Sequence, residues 1–188
     1  MRSALLLLGL GSLVASCGAP GQRSGDDEAF GSDRAASGLP SWVEAPNFIV
    51  LQPGIVGSGP PALTEIPELK ERGYSTIINL RQANEPGVAD ERAAAEAAGL
   101  HYVSIPLSGS NFALADANFL RAALAEAPAG DVLLHCGSGS RVGALWAMAV
   151  AVEQGLAPND ARALALRSGA APVLAERVAE QLRTAARP

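Results

Sequence analysis

Residues 133–143 read LLHCGSGSRVG, from Leu133 to Gly143. An apolar run, Asp131 to His135, leads into Cys136; four Gly and Ser residues follow, and Arg141 closes the loop. The run before the cysteine is of buried-strand type, and Val142 to Gln154 after it is apolar almost all round, as a buried helix is. A cysteine at the carboxyl end of a buried strand, just before a helix, lies where open α/β sheets bind ligands, and the helix N-terminus there favours anions. Gly137 and Gly139 permit the positive φ angles that let the N–H groups of Gly137, Ser138, Gly139, Ser140 and Arg141 line a concave nest. Arg141 adds a bidentate fork for two oxygens of a phosphate or sulfur oxyanion. The same guanidinium and helix end favour the thiolate form of Cys136. The alternative is a buried structural cysteine beside a glycine turn. His135 either steadies the loop by hydrogen bonding to backbone or fills the end of the strand; it takes a supporting role, since a thiolate needs no base.

Outward from this loop, strand and helix signals alternate. FIVLQPGIVGSG offers two short apolar runs about Pro53-Gly54, a hairpin pattern. Ala62 to Arg72 reads as a short helix, interrupted early by Pro67 and closed by Gly73. Ser75 to Leu80 is a β-branched strand, Ala89 to Gly99 a helix by propensity, and HYVSIPL from His101 the next strand. His101 reads as structural. Asp116 is placed to cap a helix over Ala117 to Glu126. After the loop everything reads as helix, with new starts at Pro158 and Pro172. The expected fold is α/β: a parallel-rich sheet of four to five strands flanked by helices, with an all-helical C-terminal part.

The chain begins with Arg2, an apolar run from Ala4 to Ala15, then small residues before Cys17, the order of a secretory signal. Val14-Ala15-Ser16-Cys17 resembles a bacterial lipobox, in which the cysteine is lipidated. Residues 1–17 are therefore expected to be a lipoprotein signal peptide. Gly18 in place of Asp after that cysteine favours the outer membrane, with the protein facing the periplasm. Residues 18–40, rich in Gly, Ser, Asp and Pro, read as a flexible linker, leaving 41–188 as one domain. A net charge of −5 with no basic stripe argues against nucleic acid as a partner. The membrane is expected to be met only through the N-terminal lipid. Cys136 would then be the unpaired thiol of an exported chain, which is a liability unless buried or useful. Nothing in the pattern calls for a cofactor or a metal.

Four stretches, IVGSGPP, GYSTIINLR, AAAEAAGLHYVSIPL and VLLHCGSGSR, together resemble the protein tyrosine phosphatase superfamily in its compact dual-specificity-like form. They are most similar to the bacterial phosphatase-like family also found attached to beta-lactamase-like hydrolases, in which the loop between Cys and Arg has four residues. The resemblance implies that Cys136 is the nucleophile and Arg141 the oxyanion binder, with the amides of Gly137 to Ser140 completing the cradle. Arg81, which ends the INLR strand, would add positive charge at the same sheet edge; a surface loop arginine is the alternative.

Three departures from the catalytic tyrosine phosphatases stand out. The loop is one residue shorter, Val142 follows the arginine where Ser or Thr is usual, and Ser108-Gly109-Ser110-Asn111 carries no carboxylate where the general acid is expected. Glu85, Asp90 and Asp116 are the nearest carboxylates in sequence. The expected activity is a cysteine-dependent phosphatase acting on a phosphorylated small molecule or protein. A rhodanese-like sulfurtransferase, with Cys136 cycling through a persulfide, and a weakly catalytic oxyanion-binding module are the alternatives. An aromatic before the cysteine and a further strand after the loop, both usual in rhodaneses, are absent from the sequence.

Overall fold

The computed structural model describes residues 43–109 and 111–186. The signal segment, the lipobox Cys17 and the linker expected within residues 1–40 lie outside the described residues.

Pro53-Gly54 does form a two-residue turn, with Gly54 at φ +80°, joining β1 (Ile49–Gln52) to β2 (Ile55–Ser58) as an antiparallel pair. The remaining strands, β3 (Tyr74–Asn79), β4 (His101–Ser104) and β5 (Asp131–His135), pair in parallel, giving one sheet in the order β1-β2-β5-β3-β4. Parallel strands need crossovers, and helices α1 (Ile66–Glu71), α2 (Val88–Ala97) and α3 (Leu114–Glu126) lie in those connections. After β5 the described chain is helical: α4 (Ser140–Gln154), α5 (Pro158–Arg167) and α6 (Pro172–Ala185). The α/β architecture with a helical C-terminal part is thus the observed one.

Both faces of the sheet are covered, which is why β3 and β5 are apolar at successive positions rather than at alternate ones. Ile78, Val132 and Leu134 pack into a core shared with α3 to α6, whereas Ile77 and Leu133 point to a second core with Ile66, Leu69, Ala95 and Val43. β5 is central, so the loop that follows it stands on a strand paired on both sides. Ser58 of β2 and Asn79 of β3 flank His135 in register.

Three local expectations differ from the structure. Pro67 does not interrupt a helix but starts one: a 3-10 turn at Leu63–Glu65 precedes α1, and Pro67 sits in its first turn, where no N–H is required. Asp116 is not the cap of α3. It lies inside the first turn and its Oδ2 accepts a hydrogen bond from the Ala113 N–H at 2.8 Å, closing the helix start from within. α4 begins at Ser140, two residues before the expected Val142, so Arg141 belongs to its first turn. No helix among the described residues is long and apolar enough to cross a membrane.

α4 is buried continuously from Val142 to Ala149 because the sheet lies on one side and α3, α5 and α6 on the other. Gly143 makes that closeness possible. A Cβ there would stand 2.4 Å from the Ser168 carbonyl oxygen, so only glycine lets the α5–α6 turn rest on the first turns of α4. That contact carries the start of α6 to the rim of the Cys136 loop.

Candidate active site

Cys136 is fully buried at the end of β5, and its N–H donates to the Ser58 carbonyl at 3.2 Å. The chain then turns over Gly137 to Gly139. Gly139 adopts φ +82°, caps α4, and donates its N–H to Cys136 Sγ at 3.2 Å. Of the two loop glycines only Gly139 adopts positive φ, and its amide is the one that points at the sulfur.

Arg141 is held from behind. Its Nη1 donates to Glu85 Oε1 at 2.6 Å and its Nη2 to Glu85 Oε2 at 2.9 Å, a bidentate pair. Nη1 also donates to the Leu107 carbonyl at 3.0 Å. These bonds use one edge of the guanidinium and leave the edge made by Nε and Nη2 for another acceptor. Gly137 keeps the way open, since a Cβ at that position would lie 3.1 Å from Arg141 Nη2. Glu85 raises the Arg141 pKa above its ordinary value, burial opposes the rise, and Cys136 facing the guanidinium adds to it.

Glu85 is the nearest carboxylate to this chemistry, and it is no acid. The hydrogen bonds from Arg141 are the main reason its pKa falls to about 2; burial opposes this, while the Gln82 N–H at 2.8 Å and the charges of Arg141 and Arg81 assist. Asp116 is committed to α3. Asp90 is exposed in the first turn of α2.

Arg81 is placed differently from the expectation. It is 8% exposed, and its guanidinium meets Glu91 Oε2 at 3.4 Å, the Pro86 carbonyl, and Glu85 Oε2 at 3.6 Å. It backs Glu85 and Glu91 rather than lining the cradle, because both carboxylates reach it first. Ser140 is also engaged elsewhere: its hydroxyl accepts from the Ala171 N–H at 2.7 Å and thereby holds the start of α6. Ser138 presents its carbonyl to Asn47 Nδ2 at 2.9 Å.

His135 does have a supporting partner, though not backbone. Its Nε2 lies 2.9 Å from Glu91 Oε1, which also accepts from Asn79 Nδ2 at 2.8 Å and from the Tyr102 hydroxyl at 2.9 Å. Burial pushes the Glu91 carboxyl up, but His135, Tyr102 and Arg81 together hold it below its ordinary value. A carboxylate thus lies beneath the Cys136 loop with three partners on Oε1 and Arg81 on Oε2. Glu91, Asn79 and Tyr102 escaped the sequence reading because ADERAAAEAAG looks like a helix with a solvated acidic face. Their one signal is a polar Asn inside the otherwise apolar run TIINL.

A cavity of about 650 Å³ opens beside the loop, lined by Ser138, Arg141 and Glu85 on one side and by Leu107, Gly109 and Val173 on the other. A larger cavity of about 800 Å³ lies between β4 and α3, away from Arg141; Cys136, fully buried, lines neither cavity, and only the smaller one is walled by its loop. The chemistry assigns the site to the smaller one. Among the described residues no group of three His, Cys, Asp or Glu side chains is arranged to hold a metal ion.

The geometry has close relatives. Residues 48–153 match the family described as beta-lactamase hydrolase-like protein, phosphatase-like domain. A beta-lactamase hydrolase-like protein of Xylella fastidiosa (strain Temecula1) is 37% identical over 111 residues, covering 57% of this chain and 26% of that protein. The chain therefore spans about a quarter of the length of that curated relative. Among solved structures, a candidate phosphatase of Shewanella putrefaciens CN-32 superposes with a TM-score of 0.61 at 25% identity, over 75% of this chain and 94% of its own. TpbA of P. aeruginosa, solved in complex with pTyr, shares the fold with a TM-score of 0.53 at 22% identity, over 75% of this chain and 91% of its own. With its tyrosine-phosphatase-like fold and a family match across the sheet and the Cys136 loop, the chain belongs to the beta-lactamase hydrolase-like protein, phosphatase-like domain family.

Proposed function

We propose that the domain hydrolyses phosphate monoesters through Cys136. The observation that carries this is the joint geometry of sulfur and arginine: Gly139 N–H points at Sγ, while Glu85 fixes Arg141 with one guanidinium edge facing the loop. The cysteine thiolate attacks phosphorus, the P–O bond to the leaving group breaks, and the leaving oxygen takes its proton from water. Water then attacks the phosphocysteine, releasing inorganic phosphate and regenerating the thiolate. Arg141 and the loop amides of Gly137 to Ser140 stabilise the equatorial oxygens, where charge is carried in the transition state. His135 acts from below by supporting the loop. TpbA binding pTyr supports a phosphorylated substrate here.

A sulfurtransferase remains the second reading, because sulfane sulfur needs no protonated leaving group and the cavity offers no acid. One preparation separates the two. It should turn over aryl phosphates, lose that turnover in Cys136→Ser, and transfer no sulfur from thiosulfate to cyanide. Cyanide-dependent thiocyanate formation without phosphate release would reverse the assignment.

The proposal extends to the cell envelope. Cys17 is the lipid attachment site, residues 18–40 the tether, and the domain works at the outer membrane facing the periplasm. Cys17→Ser should free the protein from membranes; unchanged fractionation and processing would remove this part of the proposal.

A further inference from the structure

Asn47 is the single residue other than glycine with positive φ among the described residues, at 55°. Left-handed backbone is disfavoured for L-residues, with Asn among the types that visit it most readily. Such a conformation persists where the surroundings hold it, and it often lies at a functional site. Here the surroundings are specific. Val43, fully buried in the second core, anchors the segment on one side. Close by, the Gly59 N–H donates to the Pro46 carbonyl at 2.6 Å, tying the turn to the end of β2.

The turn aims one side chain. Asn47 Nδ2 donates to the Ser138 carbonyl at 2.9 Å, across 91 positions of sequence. The Ser138 carbonyl and the Gly139 N–H belong to the same peptide group. No peptide bond among the described residues is cis, and in a planar trans peptide the C=O and N–H point in opposite directions. Drawing the carbonyl outward toward Asn47 therefore turns the N–H inward, where it meets Cys136 Sγ at 3.2 Å. Gly139, at φ +82°, has no side chain to fix this orientation, and the peptide of a glycine-rich loop can rotate. The Asn47 side chain supplies the missing constraint, and a Cβ built at Gly139 would lie 3.6 Å from the Asn47 Cβ, so the two segments pack directly.

We propose that Asn47 is a positioning residue for the nucleophile: by binding the Ser138 carbonyl it holds the Gly139 N–H on Cys136 Sγ. It touches neither substrate nor sulfur and acts through one peptide plane. The proposal rests on Cys136 being the reactive thiol, so its test reads the thiol itself as well as turnover.

The test uses the full chain and three substitutions. Asn47→Gly and Asn47→Asp both suit left-handed backbone but cannot donate to the carbonyl; Asn47→Ala removes the donor and adds strain. Alkylation of Cys136 by iodoacetamide is followed as a function of pH, down the acid limb of its profile, by mass spectrometry of its own peptide, which separates it from Cys17. Protection by inorganic phosphate is measured in the same way, and aryl phosphate turnover in parallel. Loss of a hydrogen bond to a charged sulfur lowers the thiolate fraction on the acid limb of the profile, and alkylation there should slow about threefold to tenfold in the Gly and Asp variants alike, with Asp lowest because it adds a repelling charge. Phosphate protection should weaken and kcat should fall, with KM changing less than kcat. Native alkylation rates in the Gly and Asp variants would overturn the proposal and leave Asn47 only a turn residue, whatever the Ala variant does. A faster rate would also overturn it. Should native protein hydrolyse no phosphate ester, the alkylation arm still decides about Asn47, while the phosphatase assignment fails separately.

Discussion

Two loops face each other across the same cavity, and they are built to different standards. The loop from Cys136 to Arg141 is constrained from every side: Ser58 holds its start, Asn47 its middle, Glu85 its arginine, and Glu91 the histidine beneath it. In the opposite turn, the Asn111 N–H donates to the Ser108 carbonyl at 2.8 Å. Gly109 there stands at φ +50° with nothing within 4 Å of its missing Cβ. One loop is held fixed around the Cys136 sulfur and the Arg141 guanidinium. The other borders the leaving-group side and carries no carboxylate. Under the proposed function, the contrast means that binding and attack are provided for, whereas protonation of the leaving oxygen is not. General acid catalysis is typically worth about 10²–10⁴-fold, and that is the expected shortfall for a basic leaving group.

The largest effect should come from undermining the better-built loop. Glu91→Leu leaves His135 Nε2, Asn79 Nδ2, the Tyr102 hydroxyl and Arg81 without their shared acceptor in a buried site. Breaking a buried charged network by removing one partner costs about 3–5 kcal/mol, read as the shift in denaturant midpoint. A shift below about 1 kcal/mol, the scale of one ordinary hydrogen bond, would mean that Glu91 is not a foundation of the loop.

Glu85→Gln tests the clamp on Arg141 with a smaller effect on the fold. Turnover of aryl phosphates should fall about 10–100-fold as the guanidinium loses its bidentate partner and its fixed orientation. The variant also has a pH signature. The Glu85 carboxyl is depressed from 4.5 to about 2 in the folded protein. Such a group stabilises the fold above its ordinary value, and that contribution is lost as pH falls from about 4.5 through about 2. Stability measured across this window should decline less steeply in the Gln variant than in the native protein. Parallel curves would place the depression elsewhere.

The smallest change sharpens the poorer loop. Gly109 occupies a left-handed position that Asp tolerates better than most side chains, with open space for the carboxyl. Gly109→Asp should raise turnover of esters with basic leaving groups about threefold to tenfold, less than a fitted acid would give. No gain on such esters, with activated esters unaffected, would show that position 109 cannot reach the leaving oxygen.

How much of this was legible in the sequence differs between covalently local and spatially assembled features. The strand, the glycines and the helix around Cys136 are contiguous, so their pattern exposed the loop and its place in the fold, and the alternation of apolar runs exposed the α/β order. The supports of the loop come from distant segments and are chemically unremarkable where they stand. Glu85 follows a strand as an ordinary loop carboxylate, and only folding brings Arg141 to it across 56 positions. Glu91 looks solvated within an Ala/Glu helix, although it is 1% exposed. Asn47 sits in a Pro-Asn turn whose left-handed backbone no periodicity reveals. Arg81 was visible as a cation but not as one already claimed by two carboxylates, since pairing depends on side-chain reach rather than on order in the chain.

The central claim, a complete nucleophile and oxyanion cradle without a dedicated acid, is tested most directly by turnover of a series of substituted phenyl phosphates. With no proton donor, the leaving phenolate carries its developing charge unaided. The rate should therefore fall steeply as the phenol pKa rises, with phosphoserine almost inert. A flat dependence, lost on substituting Glu85, Asp90 or Asp116, would contradict the account and show that one of these carboxylates protonates the leaving oxygen.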